Sequence, residues 1–218
     1  MSQPLITTVI PTYRRPAMLR RAIRSVLRQT FADFRVCIYD DASNDETADV
    51  AEEFCRKDSR VEYKRRLQNI GQQRSFVDGA NQVETPFFSF LPDDDIMLPV
   101  FFKAALEGFG KHPEAAMSVL PTLQMSPAGR ILDVATAQWE AGLQLPPQGM
   151  LSCVRYGNPG LPSTLIRREV WRDFGGFDQA TWPSDDFDFE LRVMARMPVV
   201  VLKQPGGIQV MHLSLIHI

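Results

Sequence analysis

Three consecutive carboxylates, Asp93, Asp94 and Asp95, follow directly on the apolar run Phe87 to Leu91. Side by side they repel one another unless water or a shared cation separates their charges. Carboxylate oxygens are hard ligands suited to magnesium or manganese, which bind through one or two protein carboxylates together with waters and phosphate oxygens. A diphosphate is the ligand this chemistry implies. The alternative is that the acids open the next helix, whose N-terminus favours negative charge. Two further acidic groups stand out, Asp40-Asp41 after the apolar run Phe34 to Tyr39, and Ser184-Asp185-Asp186-Phe187-Asp188-Phe189-Glu190-Leu191-Arg192 near the C-terminus.

The first 120 residues, which must hold these acids, alternate strand and helix patterns, as expected of a parallel sheet with crossover helices. Leu5 to Ile10, Phe34 to Tyr39, Val61 to Lys64, Pro86 to Leu91 and Ala115 to Leu120 read as strands. Met18, Leu19, Ala22, Ile23, Val26 and Leu27 recur at helical spacing. Further helices are expected at Gln72 to Val83 and Pro99 to Phe109, and one after the turn at Asp40 to Asp45, capped by Asn44 or Asp45. From Pro121 to Gly160 periodicity weakens, and the stretch reads as a variable connection with short strands. Helices return at Arg167 to Asp173 and Asp185 to Met197, before a strand at Val199 to Leu202. Ligands of such sheets bind beyond the carboxyl ends of the strands. Pro11-Thr12-Tyr13, Asp40-Asp41 and Asp93-Asp94-Asp95 occupy three such ends and should converge on one crevice.

In this order the motifs V-I-P-T-Y-R-R at Val9 to Arg15, Y-D-D-A-S-N-D at Tyr39 to Asp45, N-I-G-Q-Q-R at Asn69 to Arg74 and L-P-D-D-D at Leu91 to Asp95, with the later G-G-F-D and S-D-D-F-D-F-E-L-R, resemble the family 2 glycosyltransferases. The resemblance spans nearly the whole chain. It implies the GT-A fold, an α/β, Rossmann-like nucleotide-binding domain with a mostly parallel central sheet flanked by helices. Residues 1–120 would form its nucleotide-binding half. Residues 121–218 would form an acceptor-binding half, cut short where Leu215 to Ile218 depart from the family's usual continuation. It implies an inverting transfer of sugar from a UDP- or dTDP-linked donor to the hydroxyl of a glycan, a lipid-linked acceptor or another molecule.

By the same resemblance Pro11, Thr12, Tyr13 and Arg14 line the nucleotide site, with Tyr13 against the base and Asp41 accepting from it. A flat ring offers a stacking face, and a carboxylate accepts the ring N–H that uracil or thymine presents. Arg74 meets phosphate oxygens, and Asp93 contacts the ribose or metal-bound water. Mn2+ or Mg2+ is held chiefly by Asp94, with Asp95 and His212 as further ligands. Pro92 stands where many relatives begin an Asp-x-Asp motif. Counting back from Arg192, Asp186 is the implied base that takes the acceptor's proton. Asp185 positions the acceptor or caps its helix, Asp188 and Glu190 read as surface or structural positions, and Gly175-Gly176 as a tight turn.

Composition bounds these expectations. A 218-residue chain with 44% hydrophobic and 23% charged residues is ordinary for one globular domain. Its net charge of -2 gives no general attraction to a nucleic acid polymer. Arg14, Arg15, Arg20, Arg21, Arg24 and Arg28 read as a solvated helix face. Cys37, Cys55 and Cys153 are too few and too scattered for a disulfide framework or zinc site, which favours a reducing, cytoplasmic setting. Nothing resembles a signal peptide or reaches the roughly 20 apolar residues needed to span a bilayer. Any membrane association would be peripheral, at the inner face, or through a segment outside this sequence. A dehydrogenase is rejected because no G-x-G-x-x-G turn follows the first strand. A catalytically silent nucleotide-sugar-binding module and a sugar nucleotidyltransferase remain as alternatives.

Overall fold

The computed structural model describes residues 4–211. Its first half runs β1 (Ile6–Thr12), α1 (Pro16–Leu27), β2 (Phe34–Asp40), α2 (Thr47–Lys57), β3 (Val61–Arg65), α3 (Gln72–Asn81), β4 (Phe87–Phe90), β5 (Ile96–Met97), α4 (Phe101–Lys111) and β6 (Met117–Val119). The second half runs β7 (Thr122–Met125), β8 (Ile131–Ala135), β9 (Gly142–Gln144), α5 (Gln148–Tyr156), β10 (Thr164–Arg167), α6 (Arg168–Asp173), α7 (Asp185–Met194), β11 (Val199–Val201) and β12 (Gly207–Val210).

Eight strands form the central sheet in the order β3-β2-β1-β4-β10-β6-β11-β9. β1 pairs in parallel with β2 and β4, β2 with β3, and β6 with β11. β10 enters antiparallel between β4 and β6, and β9 closes the edge antiparallel to β11. Alternation along the strands decides which face each residue covers. Ile6 and Ile10 of β1 and Val36 and Ile38 of β2 pack on one side against Leu19, Ile23 and Val26 of α1. Val9, Cys37 and Tyr39 turn to the other side, which is covered by Phe76 of α3, Trp171 of α6 and Phe189 of α7. The rings of Phe88, Phe90, Trp171, Phe177 and Phe189 meet there with centroids 4.9–5.8 Å apart, the tilted and edge-on arrangements that aromatic quadrupoles favour.

The stretch 121–160 carries the short strands expected of it, β7, β8 and β9, and in addition a helix, α5, that its weak periodicity did not announce. β7 and β8 form an antiparallel hairpin, and with β5 and β12 they make a second, four-stranded sheet in the order β5-β12-β7-β8. α5 packs on α7 through small residues, with Gly149 so close to Met194 and Val199 that a Cβ there would lie 3.0–3.4 Å from their side chains. The cap of α2 is Glu46, one residue beyond Asp45, and Asp45 instead holds the first turn: its Oδ1 accepts from the amide and hydroxyl of Thr47 at 3.0 and 2.6 Å. Among the described residues no helix is long and apolar enough to cross a membrane.

Candidate active site

The parallel pairing of β1, β2 and β4 brings their carboxyl ends to one edge of the sheet. The Asp41 amide donates to Thr12 O at 2.9 Å, and the Leu91 amide to Val9 O at 3.0 Å, so the segments that leave these strands run side by side. Asp40 is fully buried and fixes the turn after β2 by accepting from the Ser43 amide at 2.9 Å and the Tyr63 hydroxyl at 2.6 Å. Asp41 is left facing the crevice edge. Its two oxygens accept from the amides of Ile70 and Gly71, each at 2.8 Å, and Arg66 lies 3.9 Å away. That carboxylate therefore ties the loop before α3 to the end of β2, while retaining lone pairs for a ligand.

A cavity of about 300 Å³ opens beside it, lined by Pro11, Thr12, Tyr13, Asp41, Gln72 and Asp93 among others. Tyr13 is 39% exposed at its mouth, a surface ring ready for stacking. Arg14, with φ of 55°, does not line the cavity; its amide donates to Ser43 Oγ at 2.8 Å and its guanidinium lies 5.0 Å from the Tyr13 ring. Arg74 sits exposed on α3 and lines none of the cavities described here.

The three acids after β4 divide their tasks. Asp93 is buried, accepts from Thr12 Oγ1 at 2.7 Å and pairs with Arg15 at 3.2 Å; burial pushes its carboxyl up to about 6 against those two favourable contacts. Asp94 pairs with the same Arg15 Nη1 at 2.8 Å, and its carbonyl accepts from Arg21. Asp95 is buried too, with Oδ1 bound to the Val210 amide of β12 at 2.9 Å. Burial first, then repulsion from Asp94, lifts its carboxyl well above the ordinary range. Arg15 and Arg21 thus correct the reading of the α1 arginines as a solvated face: two of the six turn inward to the acids. An excess of carboxylate at a strand end, beside a motif that ends in Arg15, was the signal available for Arg15; Arg21 lies outside that motif.

The second acidic segment meets the first. Asp94, Asp95, Asp185 and Asp186 line one cavity of about 200 Å³, which shares Arg15, Gln72, Phe76 and Pro92 with the larger one. Asp41, Asp94 and Asp186, far apart in the chain, therefore border a single cleft. Asp186 is the second residue of α7; its Oδ1 accepts from the Phe187 amide at 2.7 Å, and Asn158 Nδ2 approaches Oδ2 at 3.5 Å. Burial, then the charge of Asp185, raises its proton affinity. Asp185 is buried, and burial raises it as well.

Asp188 pairs with Arg192 at 2.8 Å on the flank of α7, but Glu190 is not at the surface. It is 3% exposed, one helical turn behind Asp186, with a buried Oε2 that has no partner, and burial holds its carboxyl well above the usual range. The turn at Gly175-Gly176 takes left-handed φ values of 74° and 64°; Arg192 clamps it by donating to the carbonyls of Phe174 and Gly176. Phe177 follows directly and lines the cavity with Asp186.

Magnesium or manganese would find hard oxygen donors here. Among the described residues no three carboxylate, imidazole or thiol groups cluster as a ready-made ligand set. Asp94 and Asp95 on the cleft wall fit an ion that completes its shell with phosphate oxygens and water. His212 lies outside the described residues.

Solved structures share this architecture. TarS 1-349 of S. aureus, in complex with UDP-GlcNAc, superposes with a TM-score of 0.79 at 18% identity, covering 95% of this chain and 58% of that one. The mannosyltransferase PcManGT from Pyrobaculum calidifontis, in complex with GDP-Man and Mn2+, gives 0.67 at 12% identity over 96% of this chain and 57% of that one. The fold is thus that of the GT-A glycosyltransferases. Residues 7–132, more than half of the chain, match the profile described as Glycosyl transferase family 2, and the chain belongs to that family. Validoxylamine A glucosyltransferase of Streptomyces hygroscopicus subsp. jinggangensis is 27% identical over 240 residues, 96% of this chain and 56% of the relative. A GalNAc(5)-diNAcBac-PP-undecaprenol beta-1,3-glucosyltransferase of Campylobacter jejuni is 33% identical over 96 residues, 44% of this chain and 31% of the relative. The chain spans about half the length of the first of these relatives and a third of the second.

Proposed function

We propose that this chain transfers a sugar from a nucleoside-diphosphate donor, linked to uridine or thymidine, to an acceptor hydroxyl with inversion at the anomeric carbon. The observation that supports it above all is the sharing of one cleft by Asp41, Asp94 and Asp186. TarS, crystallised with UDP-GlcNAc, is consistent with a uridine donor, and the undecaprenol-linked substrate in the name of the Campylobacter relative with a lipid-linked glycan as one acceptor class.

The roles follow from position. Tyr13 and Asp41 receive the base, and Arg15, at the seam of the two cavities, faces the diphosphate. Asp93, tied to Thr12 and Arg15, lies toward the ribose. A magnesium or manganese ion on Asp94 and Asp95 would neutralise charge on the departing diphosphate. In the transfer the acceptor oxygen bonds to the anomeric carbon as the bond from that carbon to the diphosphate oxygen breaks. The bonding pair leaves with the diphosphate, and the hydroxyl proton passes to the Asp186 carboxylate. Its raised proton affinity, imposed by burial, brings it closer to the working pH of a general base. One displacement on one face inverts the centre. Asp185 orients the acceptor from the same wall.

The test compares wild type with Asp186→Asn and Asp94→Ala in UDP binding by calorimetry and in cleavage of a panel of UDP- and dTDP-sugars with Mn2+. Asp186→Asn should keep UDP affinity and lose turnover by about 10²–10⁴-fold, the usual worth of a general base. Asp94→Ala should lose the Mn2+-dependent part of binding. Undiminished turnover in Asp186→Asn removes the base assignment, and binding without cleavage of any donor by the wild type would leave a silent binding module.

A further inference from the structure

Behind Asp186 lies a second carboxyl that the transfer does not use. Glu190 follows it by four residues on α7, so the two side chains leave the same face of the helix one turn apart. Asp186 borders the cleft, whereas Glu190 is 3% exposed and its Oε2 is buried without a hydrogen-bond partner. A bare carboxylate at that place would have neither water nor a full set of donors to hold its charge.

The chain leaving α5 closes on this pair. α5 packs against α7 and ends at Gly157, which takes the left-handed φ of 91°, and Asn158 follows directly. Asn158 Nδ2 stands 3.5 Å from Asp186 Oδ2. Burial, and then the charge of Asp186, keep the proton on Glu190 against the pull of the same Asn158 amide. Cys153 of α5 also faces the two acids; burial, then the charges of Glu190 and Asp186, push its thiol up, so it stays neutral. Arg192, the cation of α7, is turned away to Asp188 and to the carbonyls of Phe174 and Gly176.

We infer that Glu190 is a positioning residue for Asp186 and acts through Asn158 to hold that carboxylate toward the cleft. The role rests on Asp186 being the base. A single amide between two carboxyls favours one of them only while the other is neutral. With Glu190 protonated, Asn158 is left to Asp186 Oδ2 while the Phe187 amide fixes Oδ1 at 2.7 Å, so the base is held from both oxygens and keeps lone pairs for the acceptor's proton. An ionised Glu190 would draw the Asn158 amide to itself and set a second negative charge one turn from the first. The two acids therefore titrate as a pair. Asp186, on the cleft wall, gives up its proton first, and Glu190 keeps the other.

Turnover of a donor that the wild type cleaves, followed from neutral into alkaline pH beside calorimetry of UDP, tests the role. Glu190→Leu should keep UDP affinity and lose about 10–100-fold in kcat, the scale of a misplaced reacting group. Glu190→Gln, which keeps a neutral amide at the same place, should recover most of that loss at neutral pH. It should also hold its rate to higher pH than the wild type, because it has no proton to give up. Asn158→Ala should fall about as far as Glu190→Leu, and the double variant no further than either, as expected of residues that act as one unit.

The role is overturned if Glu190→Leu turns over like wild type or loses UDP affinity as well, if Glu190→Gln falls as far as Glu190→Leu, if wild type and Glu190→Gln fade at the same pH, or if the losses of the two single variants add. Should Glu190→Leu not fold, the pH profile of Glu190→Gln and the rate of Asn158→Ala decide. Asp186→Asn separates the two readings. An inactive Asp186→Asn beside a fully active Glu190→Leu defeats the positioning role alone, whereas an Asp186→Asn at the wild-type rate, or a wild type that cleaves no donor, defeats the base and this role with it.

Discussion

Replacing Gly176 by alanine probes the wall that carries the base. Its φ of 64° costs an L-residue about 1–2 kcal/mol. A Cβ there would also lie 2.5 Å from Trp171 Cζ2 and 2.7 Å from Cε2, nearer than real atoms approach. Trp171 cannot yield easily: it is 2% exposed, its Nε1 donates to Asn81 Oδ1 at 2.9 Å, and its ring is wedged among Phe88, Phe90 and Phe177. Overpacking of this kind costs about 1–3 kcal/mol. The sum, about 2–5 kcal/mol, corresponds to a fall in Tm of roughly 4–20 °C for a chain of this size. Gly129→Ala is the control, since its φ is 85° but nothing lies within 4 Å of the added carbon, so it should lose only the backbone part. Because Phe177 and the Arg192 clamp follow from the turn, Gly176→Ala should also lower donor cleavage more than UDP affinity. Urea denaturation and calorimetry on both variants decide it. A Gly176→Ala protein no less stable than Gly129→Ala would refute the steric argument.

Glu190 and Arg15 each give a further testable outcome. Glu190 keeps its proton in the folded chain to a pH at which the unfolded chain, with an ordinary carboxyl near pH 4.3, has lost it; its contribution to stability is present below that pH and is lost as pH rises toward the folded value. Glu190→Gln, neutral throughout, should therefore gain on wild type between pH 4.5 and pH 8 in urea titrations, and a constant difference would contradict the buried neutral acid. Arg15→Ala removes the cation that faces Asp93 and Asp94; with its side chain 42% exposed, a loss of about tenfold in UDP affinity at low salt is expected, and the deficit should shrink as salt screens it. Calorimetry at two ionic strengths checks both parts.

The sheet was legible because β1, β2 and β4 are apolar runs that stop at polar residues, and because the buried stripe Leu19, Ala22, Ile23, Val26 of α1 has helical period. α5 was not legible: its buried residues are Gly149, Ser152 and Cys153, and it follows Pro146-Pro147, so composition reads as loop while contact with α7 makes the helix. β5 and β12 are two and four residues long and are fixed by pairing with distant strands. At the site, the acids were found by their clustering after strands, and the structure brings Asp41, Asp93, Asp94, Asp95, Asp185 and Asp186 to one cleft. The inward turn of Arg15 and the burial of Glu190 depend on how α1 and α7 are rotated against the sheet, which spacing alone does not specify.

Everything turns on whether residues remote in sequence enclose a single donor and its ion. Mn2+ added with UDP to 15N-labelled protein broadens amide signals near the ion, and the expected set is Asp94 to Ile96 together with Asp186 and Phe187, with Thr12 and Tyr13 shifted by the nucleotide. Broadening of the Asp94 segment that leaves Asp186 sharp, or broadening centred on the separate cavity at Lys64 to Gln68, would contradict the shared cleft.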